Sequence, residues 1–128
     1  MVKKLLVLTL ATSSLLVFAW LMLPQGFNTD IMQIGKGKPA IVLIYDSGSV
    51  ESDQLSGTLN QMRGEFEERV EFILVDVNAP GGRDFVNANA SSPASVLFFS
   101  RNGEKVATIY GPQEAATLNK IINRVFDF

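Results

Sequence analysis

An oxygen-rich stretch that follows the first apolar run of the domain holds the side chains best suited to chemistry. Three carboxylates and three serines occur together there: Asp46, Ser47, Ser49, Glu51, Ser52 and Asp53. Grouped carboxylates suit hard cations such as Ca²⁺ or Mg²⁺, and a serine hydroxyl becomes a nucleophile when a base activates it. The spacing differs from that of an EF-hand loop, and helix capping accounts for the same residues. We therefore predict no metal site and no cofactor.

The residue types that the chain lacks exclude more chemistry than any motif adds. Its 128 residues include no cysteine and no histidine. Thiol–disulfide exchange, the usual Ser-His-Asp triad and most zinc sites are thereby excluded. A formal net charge of −2 argues against nucleic-acid binding, which needs clustered lysine and arginine. We predict a protein that is not an enzyme, and a thiol-independent enzyme that uses the serines and carboxylates of 46–53 is an alternative.

The N-terminal segment has the length and composition of a membrane-spanning helix. Lys3 and Lys4 precede nineteen residues without a charge, 5–23, and a Pro-Gln-Gly sequence ends the run. About 20 apolar residues span a hydrocarbon core of ~30 Å, and the positive-inside rule holds flanking lysines in the cytoplasm. We predict a transmembrane anchor over 1–25 and one domain over 26–128.

Cleavage of this segment as a secretory signal is the alternative to an anchor. Val17-Phe18-Ala19 offers a cleavage site, which would release a secreted or periplasmic domain that binds peptides as a chaperone does. The apolar run continues through 20–23, which favours the anchor. The predicted location is therefore the bacterial inner membrane, with a single span, a cytoplasmic N-terminus and a periplasmic domain.

Strand and helix patterns alternate along the rest of the chain. Four runs predict strands: 40–45, 70–77, 96–99 and 106–110. Asn102-Gly103 predicts a tight hairpin turn between the last two. Helical spacing begins after an N-cap at Ser49 and returns at 83–89 and after Pro112. The order β-α-β-α-β-β-α predicts an α/β sandwich, in which a four-stranded mixed sheet carries helices on both faces.

This order, together with several local motifs, resembles the thioredoxin-like fold family. The segment 38–45 is similar to the strand that leads into the family's active site, and 27–31 to the start of its first helix. Ser92-Pro93-Ala94 is similar to its cis-proline loop, and Gly111 to the glycine after its last strand. The resemblance implies a cis peptide bond at Pro93.

The resemblance also locates the positions at which the redox chemistry of the family is missing. The Cys-x-x-Cys motif falls on Ser49-Val50-Glu51-Ser52, so serines stand at both thiol positions. The buried acid that assists the thiols falls on Leu43. The resemblance therefore implies a redox-inactive member with degenerate active-site positions at Ser49 and Ser52.

Three loops of such a fold meet at one end of the sheet and form a shallow groove for an extended peptide. The candidate partner-binding residues in these loops are Asp46, Ser47, Gly48, Val50, Glu51, Ser91, Ser92, Tyr110, Gly111 and Pro112. Backbone pairing in such a groove needs no thiol. The resemblance thus implies a membrane-anchored accessory or assembly subunit of an envelope membrane complex, with a protein partner in the same membrane.

Overall fold

The first helix precedes the domain and carries most of the predicted span. The computed structural model describes residues 2–22 and 27–128, with side chains for 2–14 and 27–128. Helix α1 extends over Val2–Met22. Within these described ranges, no helix combines the length and the apolar character needed to cross a membrane. The predicted span, 5–23, continues through positions 15–23, whose side chains lie outside the described residues.

The elements of the domain follow in the predicted order. They are β1 (Ala40–Tyr45), α2 (Val50–Phe66), β2 (Glu71–Asp76), α3 (Gly82–Ala88), β3 (Ser95–Phe99), β4 (Lys105–Tyr110) and α4 (Ala115–Phe126). The strands form one sheet in the order β2-β1-β3-β4. β1 pairs parallel to β2, while β3 is antiparallel to both β1 and β4. The predicted four-stranded mixed sheet is therefore confirmed.

Two apolar layers cover the sheet, one on each face. On the first face, α2 and α4 pack on the strands through residues at helical spacing: Leu55, Leu59, Met62, Phe66, Leu118 and Ile122. On the second face, Phe85 and Val86 of α3 pack on Val42, Ile44 and Leu97. β1 is buried on both faces because it lies between β2 and β3. A central strand with two covered faces requires the unbroken apolar run that 40–45 shows.

The prediction that a helix starts within 27–31 is wrong for 27–30, because helical conformation begins only at Ile31, as a 3₁₀ turn. Asn28 instead pairs with the outer edge of β2: its N–H donates to the Phe72 carbonyl at 3.3 Å, and its carbonyl accepts from Leu74 N–H at 2.8 Å. Its side-chain Oδ1 accepts from Asp30 N–H at 2.9 Å, which turns the chain away from the sheet. One turn of 3₁₀ helix follows at Ile31–Gln33.

The two ends of the sheet carry different surfaces. We call one of them the loop end, because β1, β2 and β4 finish there at Tyr45, Asp76 and Tyr110 and β3 begins there. The opposite end holds Pro39 and the 100–104 turn, and we call it the linker end. The candidate site lies at the loop end.

Candidate functional site

Strand register brings the three predicted loop segments to the loop end. Ser95 lies opposite both Ile44 and Tyr110 in the sheet. Ala94 N–H donates to the Ile44 carbonyl at 2.9 Å, and Gly111 N–H donates to the Ala94 carbonyl at 2.9 Å. The segments 46–52, 91–93 and 110–112 therefore leave the sheet side by side. Partner binding by these loops stays a prediction.

Both serines at the predicted degenerate active-site positions have structural hydrogen bonds. Ser49 is the N-cap of α2, as predicted, and its Oγ accepts from Ser52 N–H at 3.2 Å and donates to Glu51 Oε2 at 3.1 Å. Ser52 is fully buried, and its Oγ accepts from Asp46 N–H at 3.2 Å. The two hydroxyls thus fix the start of α2 against the preceding loop.

The surroundings of these hydroxyls supply little that would activate them. Leu43, which the resemblance aligns with a buried acid, is completely buried among apolar side chains. The carboxylate beside Ser49 belongs to an exposed glutamate, which is a weaker base than imidazole. Within the described residues, no group of three or more acidic side chains is placed to hold a metal ion.

Tyr45 connects the end of β1 to the first turn of α2. Its hydroxyl donates to Asp53 Oδ1 at 2.6 Å. The pKa of Tyr45 is raised above its ordinary value of 10.0. The largest cause is this hydrogen bond, the next is desolvation, and the rest comes from the negative charges of Asp53, Asp76 and Asp46. The loop end is therefore an acidic surface in which the tyrosine stays protonated at neutral pH.

A fourth loop, which is not among the predicted partner-binding loops, also contributes to the loop end. Asn78 Nδ2 donates to Asp46 Oδ1 at 3.2 Å, and the same oxygen accepts from Gly48 N–H at 3.1 Å. Asp76 lies opposite Tyr45 in the parallel pair of strands. The signal was present in the sequence, because the carboxyl ends of two neighbouring parallel strands meet at one edge of a sheet.

The predicted cis bond at Pro93 is wrong, because no peptide bond in the described part of the chain is cis. The chain turns by another route. Ala94 adopts a left-handed conformation with φ 60°, and Ser95 Oγ donates to the Ser92 carbonyl at 2.6 Å. The chain thus changes direction at Ala94, and the bond before Pro93 is trans. Pro93 itself is exposed.

Exposed apolar side chains and a groove give the loop end a surface that could receive a peptide. Val50 is 67% exposed and Tyr110 is 62% exposed. An open groove of about 470 Å³ runs between α2 and the segment 112–114. Its lining includes Gln54, Gly57, Gln61, Pro112, Gln113 and Glu114. Of these residues, only Pro112 was predicted, because the others become neighbours only when α2 packs beside the β4–α4 connection.

Comparison with known proteins agrees with this topology. A thioredoxin-fold protein from Helicobacter pylori superposes with a TM-score of 0.63 over 71% of this chain and 70% of its own, at 10% sequence identity. The domain has a thioredoxin-like fold. No protein-family model and no curated protein sequence matches the chain. At this identity the likeness establishes the fold of the thioredoxin-like domain, while its activity has to be argued from its residues.

Proposed function

We propose that this protein is a redox-inactive, membrane-anchored thioredoxin-like subunit that binds another protein through its loop end. It would act as an accessory or assembly subunit of an envelope membrane complex. One observation carries the proposal: the loops converge as a binding end requires, while both serine hydroxyls are committed to structural hydrogen bonds. A surface without a catalytic group can still bind.

The chemistry of the loop end supports recognition of an extended segment. Val50 and Tyr110 offer exposed apolar area, and carboxylates such as Asp53 and Glu114 border the groove. Apolar contacts supply affinity, and charges around them select partners and speed association. We expect a partner segment with apolar side chains flanked by lysine or arginine.

Anchoring rests on the uncharged run at 5–23 and on Lys3 and Lys4 before it. A domain tethered to the bilayer meets membrane partners at a raised effective concentration, so a modest groove is occupied without high intrinsic affinity. The proposed orientation has the N-terminus in the cytoplasm and the domain in the periplasm.

Site-specific photo-cross-linking in intact cells tests the proposal. Photoreactive side chains at Val50, Ser92 and Tyr110 would probe the loop end, since these residues are exposed and form no helix cap. Lys120, exposed on α4, is the control position. We expect one membrane-protein partner to be captured from all three loop positions and not from the control.

Three outcomes contradict the proposal or a part of it. Capture from Lys120 alone would move the binding face away from the loop end. Recovery of a monomer whose first residue lies near Trp20, by mass spectrometry, would replace the anchored subunit with the secreted chaperone-like domain. Insulin reduction by the pure protein would contradict redox inactivity, which follows from the absence of cysteine.

A further inference from the structure

We infer that the linker end of the domain is a membrane-contacting surface, so that the loop end points away from the bilayer. This inference rests on the anchoring put forward under "Proposed function". It assigns a lipid surface to an apolar groove that the partner-binding site does not use.

The path of the chain determines which end is tethered. Asn28 pairs parallel to Ile73 of β2, so the residues before it run toward Glu71, where β2 begins. Glu71 N–H donates to the Pro39 carbonyl at 2.9 Å, which places that strand start at the linker end. The Arg63 guanidinium lies 5.0 Å from the centre of the Phe27 ring and holds the entering chain against α2.

The connection to α1 is short. Only residues 23–26 separate Met22 from Phe27. Five Cα–Cα steps of 3.8 Å reach at most about 19 Å, so the point of entry cannot lie farther than that from the last residue of α1. The six-residue strands place the loop end about 20 Å beyond the linker end, at ~3.3 Å per residue.

The linker end carries the apolar side chains that suit a bilayer interface. Val106 is 50% exposed and Phe128 is 39% exposed, and both line a groove of about 200 Å³. The Arg69 guanidinium lies 4.4 Å from the centre of the Phe128 ring, and Arg101 borders the groove. Arginine side chains cover apolar surface with their stems while their charged heads stay in water, so they are favoured beside apolar groups at membrane interfaces.

The charged side chains at the two ends support the same orientation, with the linker end toward the bilayer. Exposed basic and acidic side chains both occur at the linker end: Lys36, Lys38, Arg69, Arg101, Glu67, Glu68, Glu104 and Asp127. Carboxylates prevail at the loop end, where Asp46, Asp53 and Asp76 surround Tyr45. An anionic bilayer therefore repels the loop end and tolerates the linker end.

Quenching of tryptophan fluorescence by brominated lipids tests the inference in the full-length protein. Trp20 is the only tryptophan of the sequence, so the wild-type protein in bilayer vesicles reports on the anchor. In a Trp20→Phe background, Phe128→Trp and Val106→Trp report on the linker end, and Tyr110→Trp is the matched control at the loop end. Lipids brominated near the headgroup should quench the two linker-end variants by about half or more and the control by less than a tenth, as an interfacial location requires.

The outcomes separate this inference from the anchoring on which it depends. If Trp20 is not quenched, the anchoring itself fails. If Trp20 is quenched while the linker-end variants are quenched no more than Tyr110→Trp, the anchor stands and the inference is wrong. A blue shift at Phe128→Trp without quenching, increasing with protein density in the vesicle, would identify a second copy of the chain as the occupant and would also overturn the inference.

Discussion

Replacement of Ser52 by alanine tests whether the two serines at the start of α2 stabilise the fold or take part in chemistry. Ser52 is completely buried, and its Oγ is the acceptor for Asp46 N–H. The Ser52→Ala substitution preserves side-chain volume closely and leaves this amide without its partner. An unsatisfied donor costs about 1–3 kcal/mol when it is buried; the Asp46 amide is partly buried, so we take about 2 kcal/mol, and the better helix propensity of alanine returns up to about 0.5 kcal/mol.

We therefore expect the free energy of unfolding to fall by about 1.5 kcal/mol, which lowers Tm by roughly 6–12 °C for a domain of this size. Ser49→Ala removes the N-cap of α2 and should cost about 1 kcal/mol. Thr58→Ala is the matched control in the same helix. Its hydroxyl donates only to the Gln54 carbonyl, one turn back, so its loss should be neutral or slightly stabilising.

Urea unfolding of the full-length protein in detergent micelles, followed by far-UV circular dichroism, measures these differences. A Ser52→Ala variant that unfolds within about 0.3 kcal/mol of the wild type would refute the structural assignment, given the 1–3 kcal/mol expected for an orphaned donor. The reasoning would also fail if that variant kept its stability but lost cross-linking to the partner, because the hydroxyl would then act on the partner.

Three further predictions concern the loop end and its supports. The double variant Ser49→Cys/Ser52→Cys should form an intramolecular disulfide, since the two positions share the first turn of α2. Mass spectrometry under oxidising conditions should then show the loss of two hydrogens and no cross-linked dimer. The pKa of Tyr45 is raised, so the stabilisation from its hydrogen bond is present below pH 10 and is lost as the pH rises through the raised value. Absorbance titration of tyrosinate, compared with Tyr45→Phe, should show one late-titrating group; a group that titrates normally would contradict the hydrogen bond. Gly82→Ala should destabilise the domain by about 3 kcal/mol or more, because the added Cβ would lie against a backbone carbonyl. The Cβ of Gly64→Ala meets open space and should stabilise α2 by up to about 1 kcal/mol, so equal unfolding midpoints for the two variants would exclude the clash.

Local sequence patterns predicted those strands and helices whose side chains are buried at a regular spacing. The unbroken apolar run at 40–45 gave both bounds of β1, because a central strand is covered on two faces. Leu55, Leu59 and Phe66 are buried as their spacing predicts. The Asn102-Gly103 turn was also predictable, since Gly103 adopts φ 86° between paired strands.

Features that depend on individual hydrogen bonds and backbone angles were not predictable from local patterns. Asn28 pairs with a strand that lies more than forty residues later in the chain, so the sequence around it gave no strand signal. Pro93 has the right neighbours for a cis bond, yet the left-handed Ala94 makes that bond unnecessary. Ser52 is a polar residue in a first helical turn, where exposure is usual, and no local pattern marks its burial or its hydrogen bond with Asp46. The sequence therefore located the candidate site, but it did not reveal the hydrogen bonds that hold the site together.

The central position of β1 has a consequence for synthesis of the protein on the ribosome. β1 and β2 emerge first and can pair through α2, but the other edge of β1 has no partner until Ser95–Phe99 has been translated. At about 5–20 residues per second, this interval after β2 lasts roughly 1–5 s. During that time an apolar strand edge is exposed, and an incomplete domain with such an edge aggregates readily. Substitutions that slow docking of β3 should therefore reduce the yield of protein more than they reduce the stability of the finished fold.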